Sequence, residues 1–339
     1  MASLLHPQQI QQALSAWLSQ LLDQPVVIEH SERLSGGAIQ ENWLLQGRVN
    51  HTPQRWVLRT DAASVVAASM SREQEFAVLS IAHQAGVKVP EPLWLCLDRS
   101  VIGREFFIMQ ALGGTASGHH LTRAPNLPEG RPNLCEQLGA NLARLHRVIP
   151  PQPALAFLPQ PAADPALASI EQYRRFLDAL PGAHPVLEWG LRWCEENRPT
   201  PLPPRLIHRD YRTGNYLVDG SELTGVLDWE FAGWGDPRED LGWFTARCWR
   251  FSRPDLEAGG IGRLEDMLAG YHSVSALELD GESLAFWQVM AHLRWAVIAL
   301  QQAERHVSGQ QRSLELALTG RMVAELEQEI LLLTRGEHL

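Results

Sequence analysis

The chain has 339 residues, of which 45% are hydrophobic and 20% charged. This composition is typical of globular proteins, and the length predicts about two domains at roughly 150 residues each. The formal net charge of -10 excludes the overall basic character of a nucleic-acid-binding protein. No secretion signal and no apolar run of about 18 residues is visible. We therefore predict a cytoplasmic protein with no nucleic-acid, membrane or protein partner.

The first part of the chain alternates between helix and strand patterns. Residues 7–22 place apolar side chains at helical spacing and predict an amphipathic helix. Runs of β-branched and aromatic residues, separated by turn residues, predict antiparallel strands at Val26–Ile28, Trp43–Leu45 and Trp56–Leu58.

A second helix is predicted where Ser71 and Gln74 form a capping box and Gly86 marks the end. The segment Val101–Met109 predicts a further pair of strands, and the glycines at 113–114 predict a hinge. Beyond this hinge the apolar spacing changes from that of strands to that of helices.

The sequence predicts that the second part of the chain is mostly helical. Asn133 and Glu136 indicate a capping box before a run of leucines at helical spacing. A β-rich stretch, Leu206–Asp228, carries a hairpin signal at Asp219–Gly220. Further helices are predicted at 169–180, 186–197, 239–249, 282–305 and 314–333. The expected fold is α+β, with a small antiparallel-sheet lobe in residues 1–112 and a larger, mostly helical lobe in 113–339.

The segment with the clearest chemistry runs from His208 to Asn215, and Asp228 follows at the end of an apolar run. Phosphoryl transfer needs a carboxylate near the attacking hydroxyl and oxygen ligands that hold Mg²⁺ on the phosphates. Asp210, Asn215 and Asp228 supply these groups, since Mg²⁺ prefers hard oxygen ligands. The sequence therefore predicts a Mg²⁺-assisted transfer from a nucleoside triphosphate to a small molecule.

This motif resembles that of the aminoglycoside phosphotransferase and choline kinase superfamily. The matching residues are His208-Arg209-Asp210-x-x-x-x-Asn215 and Leu227-Asp228-Trp229-Glu230. The resemblance implies a two-lobed protein-kinase-like fold and ATP- or GTP-dependent phosphorylation of a hydroxyl group. It also implies that Asp210 is the catalytic base, that Asn215 and Asp228 bind Mg²⁺, and that His208 supports the loop from behind.

A glycine-containing turn is the first of several weaker matches. Ser35, Gly36 and Gly37 would form the turn over the phosphates, where the missing Cβ of glycine lets backbone N–H groups approach oxygen atoms. Gln110 and Leu112 occupy positions where the resemblance implies contact with the nucleotide.

Arg59 stands where the family usually has a phosphate-binding lysine, and the resemblance pairs it with Glu75. The substitution keeps the positive charge, and a guanidinium can bind phosphate with two donors. With the segments 100–109 and 235–243, this arginine is most similar to the branch that is also found fused to acyl-CoA dehydrogenases.

Three alternative functions could explain parts of this sequence. A protein kinase has the same core motif, but Asp228-Trp229-Glu230 replaces D-F-G and no A-P-E follows. A nucleotide-binding pseudokinase is favoured only by Arg59. A two-metal phosphoesterase would combine His208 with nearby aspartates, but it leaves Asn215 unexplained.

Carboxylates around the motif have other possible uses. Asp236 fits the start of a helix with an acidic capping box, and Asp240 fits a scaffold that braces the catalytic loop. Glu222, Glu230 and Glu239 would suit a cationic acceptor such as an aminoglycoside or an amino alcohol. The branch resemblance instead implies a hydroxyacyl thioester or another metabolic alcohol.

Overall fold

The computed structural model describes residues 7–34, 40–61, 70–123, 130–279 and 283–336. The chain separates into two compact units. The first unit consists of Met1–Gly114, Gln152–Phe157 and Thr224–Phe231, and the second of Thr115–Pro151, Leu158–Leu223 and Ala232–Leu339. The domain limits expected from the sequence stay a prediction.

The first unit contains a five-stranded sheet in the order β1-β2-β3-β5-β4, and its neighbouring strands are antiparallel. The strands are β1 (Val26–Arg33), β2 (Gln40–Val49), β3 (Thr52–Asp61), β4 (Pro92–Cys96) and β5 (Phe106–Gln110). Two helices accompany them, α1 (Pro7–Leu22) and α2 (Arg72–Gln84).

Both helices of this unit follow the sequence signals. The apolar face of α1 buries Leu14 and Leu18 in one core with Leu45 and Phe106 of the sheet. The predicted capping box at the start of α2 is present, because Ser71 accepts the backbone N–H of Gln74 while the Gln74 side chain accepts that of Ser71.

The expected strand pair within Val101–Met109 is wrong. Only the end of this segment is a strand, and it pairs with Pro92–Cys96 instead. Residues 98–103 form the turn between the two strands, where the N–H of Gly103 donates to the carbonyl of Arg99 at 2.8 Å. Gly103 has φ +83, a left-handed conformation that glycine adopts without strain.

The second unit is mostly helical. Its helices are α3 (Gly118–Arg123), α4 (Arg131–Leu145), α5 (Pro165–Asp178), α6 (Pro185–Glu196), α7 (Arg238–Thr245), α8 (Leu264–His272), α9 (Leu284–Val307), α10 (Leu314–Arg321) and α11 (Val323–Thr334). Its short strands β6 (Arg205–Ile207) and β9 (Gly233–Gly235) form one antiparallel pair. The predicted hairpin joins β7 (Tyr216–Asp219) to β8 (Glu222–Val226).

Helix α9 is the centre of the second unit, since its buried side chains pack in one cluster with those of α5, α6 and α11.

Two details differ from the sequence expectations. Helix α4 begins at Arg131 after Gly130, so Asn133 is not its cap, and the Asn133 amide instead donates to Glu222 at 3.1 Å. The predicted helix 314–333 is two helices that meet at Met322. No helix in the described ranges is long and apolar enough to cross a membrane.

Candidate active site

Asp210 lies in the loop between β6 and β7, and three side chains hold its carboxylate. Arg212 Nε and Trp243 Nε1 donate to Oδ1 at 3.1 and 2.9 Å, and Asn215 Nδ2 donates to Oδ2 at 2.5 Å. The Asp210 side chain is 15% exposed. Its orientation is therefore fixed while part of it stays accessible.

Asp240 on α7 braces the backbone of this loop. Its two oxygens accept the N–H groups of His208 at 2.8 Å and Arg209 at 2.7 Å. Arg209 has φ +63, a strained conformation for a residue with a Cβ, and such strain persists only where surrounding contacts hold it. Burial acts to raise the pKa of Asp240, but the hydrogen bond and charge of His146 outweigh it and lower the pKa. The prediction that Asp240 is a scaffold carboxylate agrees with these contacts.

His208 lies behind Asp210 and is fully buried. Its Nδ1 accepts the backbone N–H of Asp210 at 3.1 Å, and its ring meets that of Tyr211 edge to face at 5.9 Å between centroids. These contacts hold the His208 ring against the loop, and its role in the reaction stays a prediction.

Arg59 is the centre of a charged cluster in the first unit. Its Nε lies 2.8 Å from Glu75 Oε1, an ion-pair distance, although the N–H direction does not make a hydrogen bond. Its Nη1 lies 3.3 Å from Asp228 Oδ1. Burial acts to lower the pKa of Arg59, but the charges of Glu75 and Asp228 outweigh burial and raise it. The predicted pair of Arg59 and Glu75 is thus present.

Glu75 also binds a second arginine, which sequence reasoning missed. The fully buried Arg72 donates from Nη1 to Glu75 Oε2, and its Nε lies 3.0 Å from Asp61 Oδ1. Arg72 and Glu75 are three residues apart on one helix, where side chains are neighbours. That spacing is the signal that would have found the contact.

Asp228 and Glu230 follow β8 in the first unit. Asp228 has φ +59, and its side chain is 44% exposed. Glu230 Oε2 accepts from Gln40 Nε2 at 2.6 Å. Burial raises the pKa of Glu230 to about 7, against the opposing charge of Arg59.

The remaining residues that were predicted to bind nucleotide are less informative. Gln110 ends β5, and its N–H donates to the carbonyl of Glu91 at 2.9 Å. The Leu112 side chain packs on Gly225, where a Cβ would lie only 2.3 Å from its Cδ1. Ser35, Gly36 and Gly37 lie outside the described residues.

The acidic residues that would suit a cationic acceptor all have partners. Glu222 accepts from Asn133, Glu230 accepts from Gln40, and Glu239 Oε1 lies 3.7 Å from Arg209 Nε. Asp236 is structural, since it accepts three bonds from Arg238 and one from the N–H of Leu202. Asp236 Oδ1 accepts the backbone N–H of Arg238, the first residue of α7, in agreement with the helix start expected there, although Pro237 directly precedes the helix and makes no side-chain cap.

The structure thus brings the predicted site residues together in two clusters. Within the second unit, Asp210, Asn215 and His208 share one loop. Within the first unit, Arg59 contacts both Glu75 and Asp228. Trp243, a neighbour of Asp210, was not singled out from the sequence, because contact with the loop depends on how α7 packs.

The family model of the phosphotransferase enzyme family matches residues 30–277. The chain therefore belongs to this family. Membership confirms the resemblance predicted from the sequence, and the solved structures below confirm the α+β kinase-like fold.

Solved structures show the same fold at low identity. A Ralstonia eutropha protein described as an aminoglycoside phosphotransferase matches with a TM-score of 0.76 and 20% identity, over 97% of this chain and 99% of that one. Spectinomycin phosphotransferase in complex with ADP and spectinomycin matches with a TM-score of 0.64 and 13% identity, over 94% and 98%.

Curated relatives include larger proteins. Acyl-CoA dehydrogenase family member 11 of Pongo abelii is 26% identical over 83% of this chain and 38% of its own length. Family member 10 of Mus musculus is 26% identical over 76% of this chain and 25% of its own length. The chain thus spans about a quarter to two fifths of these relatives. Homoserine kinase of Beijerinckia indica is 30% identical over 54% of this chain and 61% of its own length.

Proposed function

We propose that the protein transfers the terminal phosphoryl group of ATP or GTP to a hydroxyl group of a small molecule, with Asp210 as the base. The observation that carries this proposal is the Asp210 carboxylate, held by Asn215, Arg212 and Trp243 in a loop braced by Asp240. A base must lie within hydrogen-bond reach of the proton it takes, so a fixed and accessible carboxylate suits the role. Asp210 would orient the hydroxyl and accept its proton as the oxygen attacks.

Asn215 and Asp228 suit a magnesium ion. Asn215 uses its amide N–H groups on the Asp210 carbonyl and carboxylate, which leaves its amide oxygen to act as a ligand. The half-exposed Asp228 offers the second hard oxygen donor. In the described part of the chain, no three His, Cys, Asp or Glu side chains cluster to hold a metal alone. Mg²⁺ commonly uses one or two carboxylates plus phosphate oxygens, and it would neutralise phosphate charge when bound.

Arg59 supplies the positive charge that the usual lysine would provide. Its guanidinium is held by Glu75, so its direction is set before any ligand arrives. Donors positioned in advance stabilise developing charge without reorganisation. We infer that Arg59 binds phosphate oxygens with two donors, where a lysine would act as a point charge.

A nucleotide-binding and turnover assay tests the proposal. Titration with ATP and GTP, with and without Mg²⁺, should show Mg²⁺-dependent binding. Incubation with a panel of alcohols, amino sugars and hydroxyacyl thioesters should give acceptor-dependent release of the nucleoside diphosphate. A phosphoesterase would need no triphosphate, so release of phosphate from simple phosphoesters without nucleotide binding would contradict the proposal.

One contact favours a second candidate, a nucleotide-binding protein without catalysis. Arg59 Nη1 lies 3.3 Å from Asp228 Oδ1, so a guanidinium already neutralises the carboxylate that is proposed to bind the metal. If this ion pair persists with nucleotide, ATP should bind equally well with and without Mg²⁺, and no acceptor should be phosphorylated. The same titration separates the two candidates.

A further inference from the structure

Arg212 lies two residues after Asp210 in the same loop and is in direct contact with the proposed base. Its Nε donates to Asp210 Oδ1 at 3.1 Å, and its Nη1 donates to the carbonyl of Thr213 at 3.3 Å. Two bonds from different nitrogen atoms fix the plane of a guanidinium group. The direction of the Arg212 side chain is therefore set by the loop itself.

Two further neighbours support the Arg212 guanidinium. Its carbon lies 4.5 Å from the centre of the Trp249 ring, a cation–π distance. Gly214 has φ +110, and a Cβ at this position would lie only 2.9 Å from Arg212 Nη1. A larger residue would thus crowd the guanidinium, so the glycine leaves the space that it occupies. The arginine is held in place before any ligand binds.

Part of the Arg212 guanidinium remains unused. Arginine has five N–H donors in a rigid fork and no acceptor. Within the described ranges Nη2 makes no hydrogen bond, and it is not buried, since the side chain is 25% exposed. A fixed cation thus presents free donors to solvent beside the base, and oxygen atoms of an anionic ligand can accept them.

The position of Arg212 places these donors near the reacting atoms. In the proposed reaction the acceptor hydroxyl lies within hydrogen-bond reach of Asp210, and reacting atoms approach to about 3–3.5 Å before they bond. The phosphorus under attack then lies one such contact beyond the hydroxyl. A guanidinium that already touches the Asp210 carboxylate is therefore a near neighbour of the phosphoryl oxygens.

An acid group of the acceptor is the other anion that could meet these donors. Such a group would be separated from the reacting hydroxyl by the carbon skeleton of the acceptor. The contact between Arg212 and Asp210 instead ties the guanidinium to the end of the acceptor that reacts. The geometry therefore favours the phosphoryl group.

We propose that Arg212 is a second catalytic residue, which donates from Nη2 to the oxygens of the phosphoryl group during its transfer. As the bond from phosphorus to the nucleoside diphosphate breaks and the bond to the acceptor oxygen forms, the hydroxyl proton passes to Asp210. Negative charge is then spread over the phosphoryl oxygens, where a preorganised guanidinium stabilises it. This inference rests on the proposed function.

Binding of a transition-state analogue tests the role of Arg212 without an acceptor. Calorimetry measures the affinity of the full chain for Mg-ADP with and without aluminium fluoride, a planar mimic of the phosphoryl group in transfer. Aluminium fluoride should tighten binding to the wild type by about 10²-fold or more, as such analogues do. Arg212→Gln should reduce this gain by about tenfold or more, the usual effect of losing a charge-assisted hydrogen bond.

Affinity for Mg-ADP alone should stay within about twofold in Arg212→Gln, because the proposed contact is made only to the group in transfer. This value also reports whether the variant is folded. Arg212→Lys should keep part of the gain, since it retains the charge but loses the planar fork. An unchanged gain in Arg212→Gln would overturn the inference.

The matched control is Arg294→Gln. The guanidinium carbon of Arg294 also lies over a tryptophan, 4.4 Å from the centre of the Trp243 ring, and Nη1 donates to the carbonyl of Arg209 in the same loop. This variant removes similar support for the loop, and it should keep the wild-type gain. If both variants lose the gain equally, Arg212 only holds the loop, and the inference is wrong.

The same experiment separates this inference from the proposed function. If the wild type does not bind Mg-ADP, the proposed function is wrong, and the role of Arg212 is refuted with it. If the wild type binds Mg-ADP but gains nothing from aluminium fluoride, only the inference is overturned, and nucleotide binding stands. Since no acceptor is present, an acid group of the acceptor cannot explain a loss of gain in Arg212→Gln.

Discussion

The Arg59 cluster and the Asp210 loop hold their carboxylates in opposite ways. In the first unit, the carboxylates of Glu75, Asp228 and Asp61 pair with two buried guanidinium groups. In the second unit, the Asp210 carboxylate is held by an amide, an indole and a partly exposed arginine. Backbone N–H groups on Asp240 fix the loop itself.

The Arg59 cluster balances opposite charges, whereas the Asp210 loop fixes the direction of one carboxylate. The ion pair of Arg59 and Asp228 can open when phosphate and metal bind, while Glu75 continues to hold the direction of the Arg59 guanidinium. A carboxylate held by fixed donors keeps one direction, which is what a base needs. We therefore expect substitutions of Arg59 and Asp228 to affect nucleotide binding, and substitution of Asp210 to affect turnover.

The largest effect is expected for Asp210→Asn. An amide has nearly the same shape but cannot accept the hydroxyl proton, so turnover should fall by roughly 10² to 10⁴, the range for loss of a positioned base. ATP affinity should stay within about twofold, because the change leaves the Arg59 cluster intact. Steady-state kinetics and calorimetry on the purified variant check both values, and an unchanged turnover number would refute the role.

Asp228→Asn should weaken Mg²⁺-dependent ATP binding by roughly 10²-fold, since it removes the negative charge of a metal ligand while triphosphate charge remains. Asp61→Asn is the matched control. Both carboxylates are about half exposed, at 44% and 49%, and each contacts a buried arginine. Calorimetry with and without Mg²⁺ compares them, and equal affinities would show that the ion pair rather than metal binding explains Asp228.

Substitutions of Arg59 should have a graded effect. Arg59→Lys keeps the charge but loses the second aligned donor, so nucleotide affinity should fall several-fold with partial activity. Arg59→Ala also leaves Glu75 and Asp228 without their shared cation, and the loss should approach about 10²-fold. If both variants bind nucleotide like the wild type, the guanidinium does not contact phosphate, and the pseudokinase alternative gains support.

The smallest effect concerns acid stability of the second unit. His292 is buried with its Nδ1 at 2.7 Å from the Gln288 carbonyl, and burial lowers its pKa to about 4. Unfolding restores an ordinary pKa near 6.5. The unfolded state then binds more protons between these values, so stability is complete above about pH 6.5 and falls toward pH 4.

The variant His292→Gln removes this titration and tests the assignment. Over pH 6.5 to 4 the wild type should lose about 2 kcal/mol more stability than the variant. The exposed His120 provides the control His120→Gln, which should keep the wild-type pH dependence. Thermal unfolding measures the stability of each protein at each pH. If the wild type and His292→Gln lose stability in parallel, the assignment is wrong.

Local sequence patterns determined most of the fold. Helix α1, the capping box at Ser71 and the hairpin at Gly220 depend on residues close together in the chain, so spacing alone predicted them. The Asp210 to Asn215 contact also lies within one loop, so residues close together in the chain are enough to form it. The pair of Arg59 and Glu75 came from family resemblance, because nothing in their separate segments predicts that they meet.

Tertiary structure alone decided the contacts that join distant segments. The partner of β5 turned out to be Pro92–Cys96, since strand pairing depends on the whole sheet. Trp243 reaches Asp210 only because α7 packs against the loop through Asp240. Short-range sequence patterns determine the helices and strands. The packing of side chains that are far apart in the sequence determines which donors face Asp210.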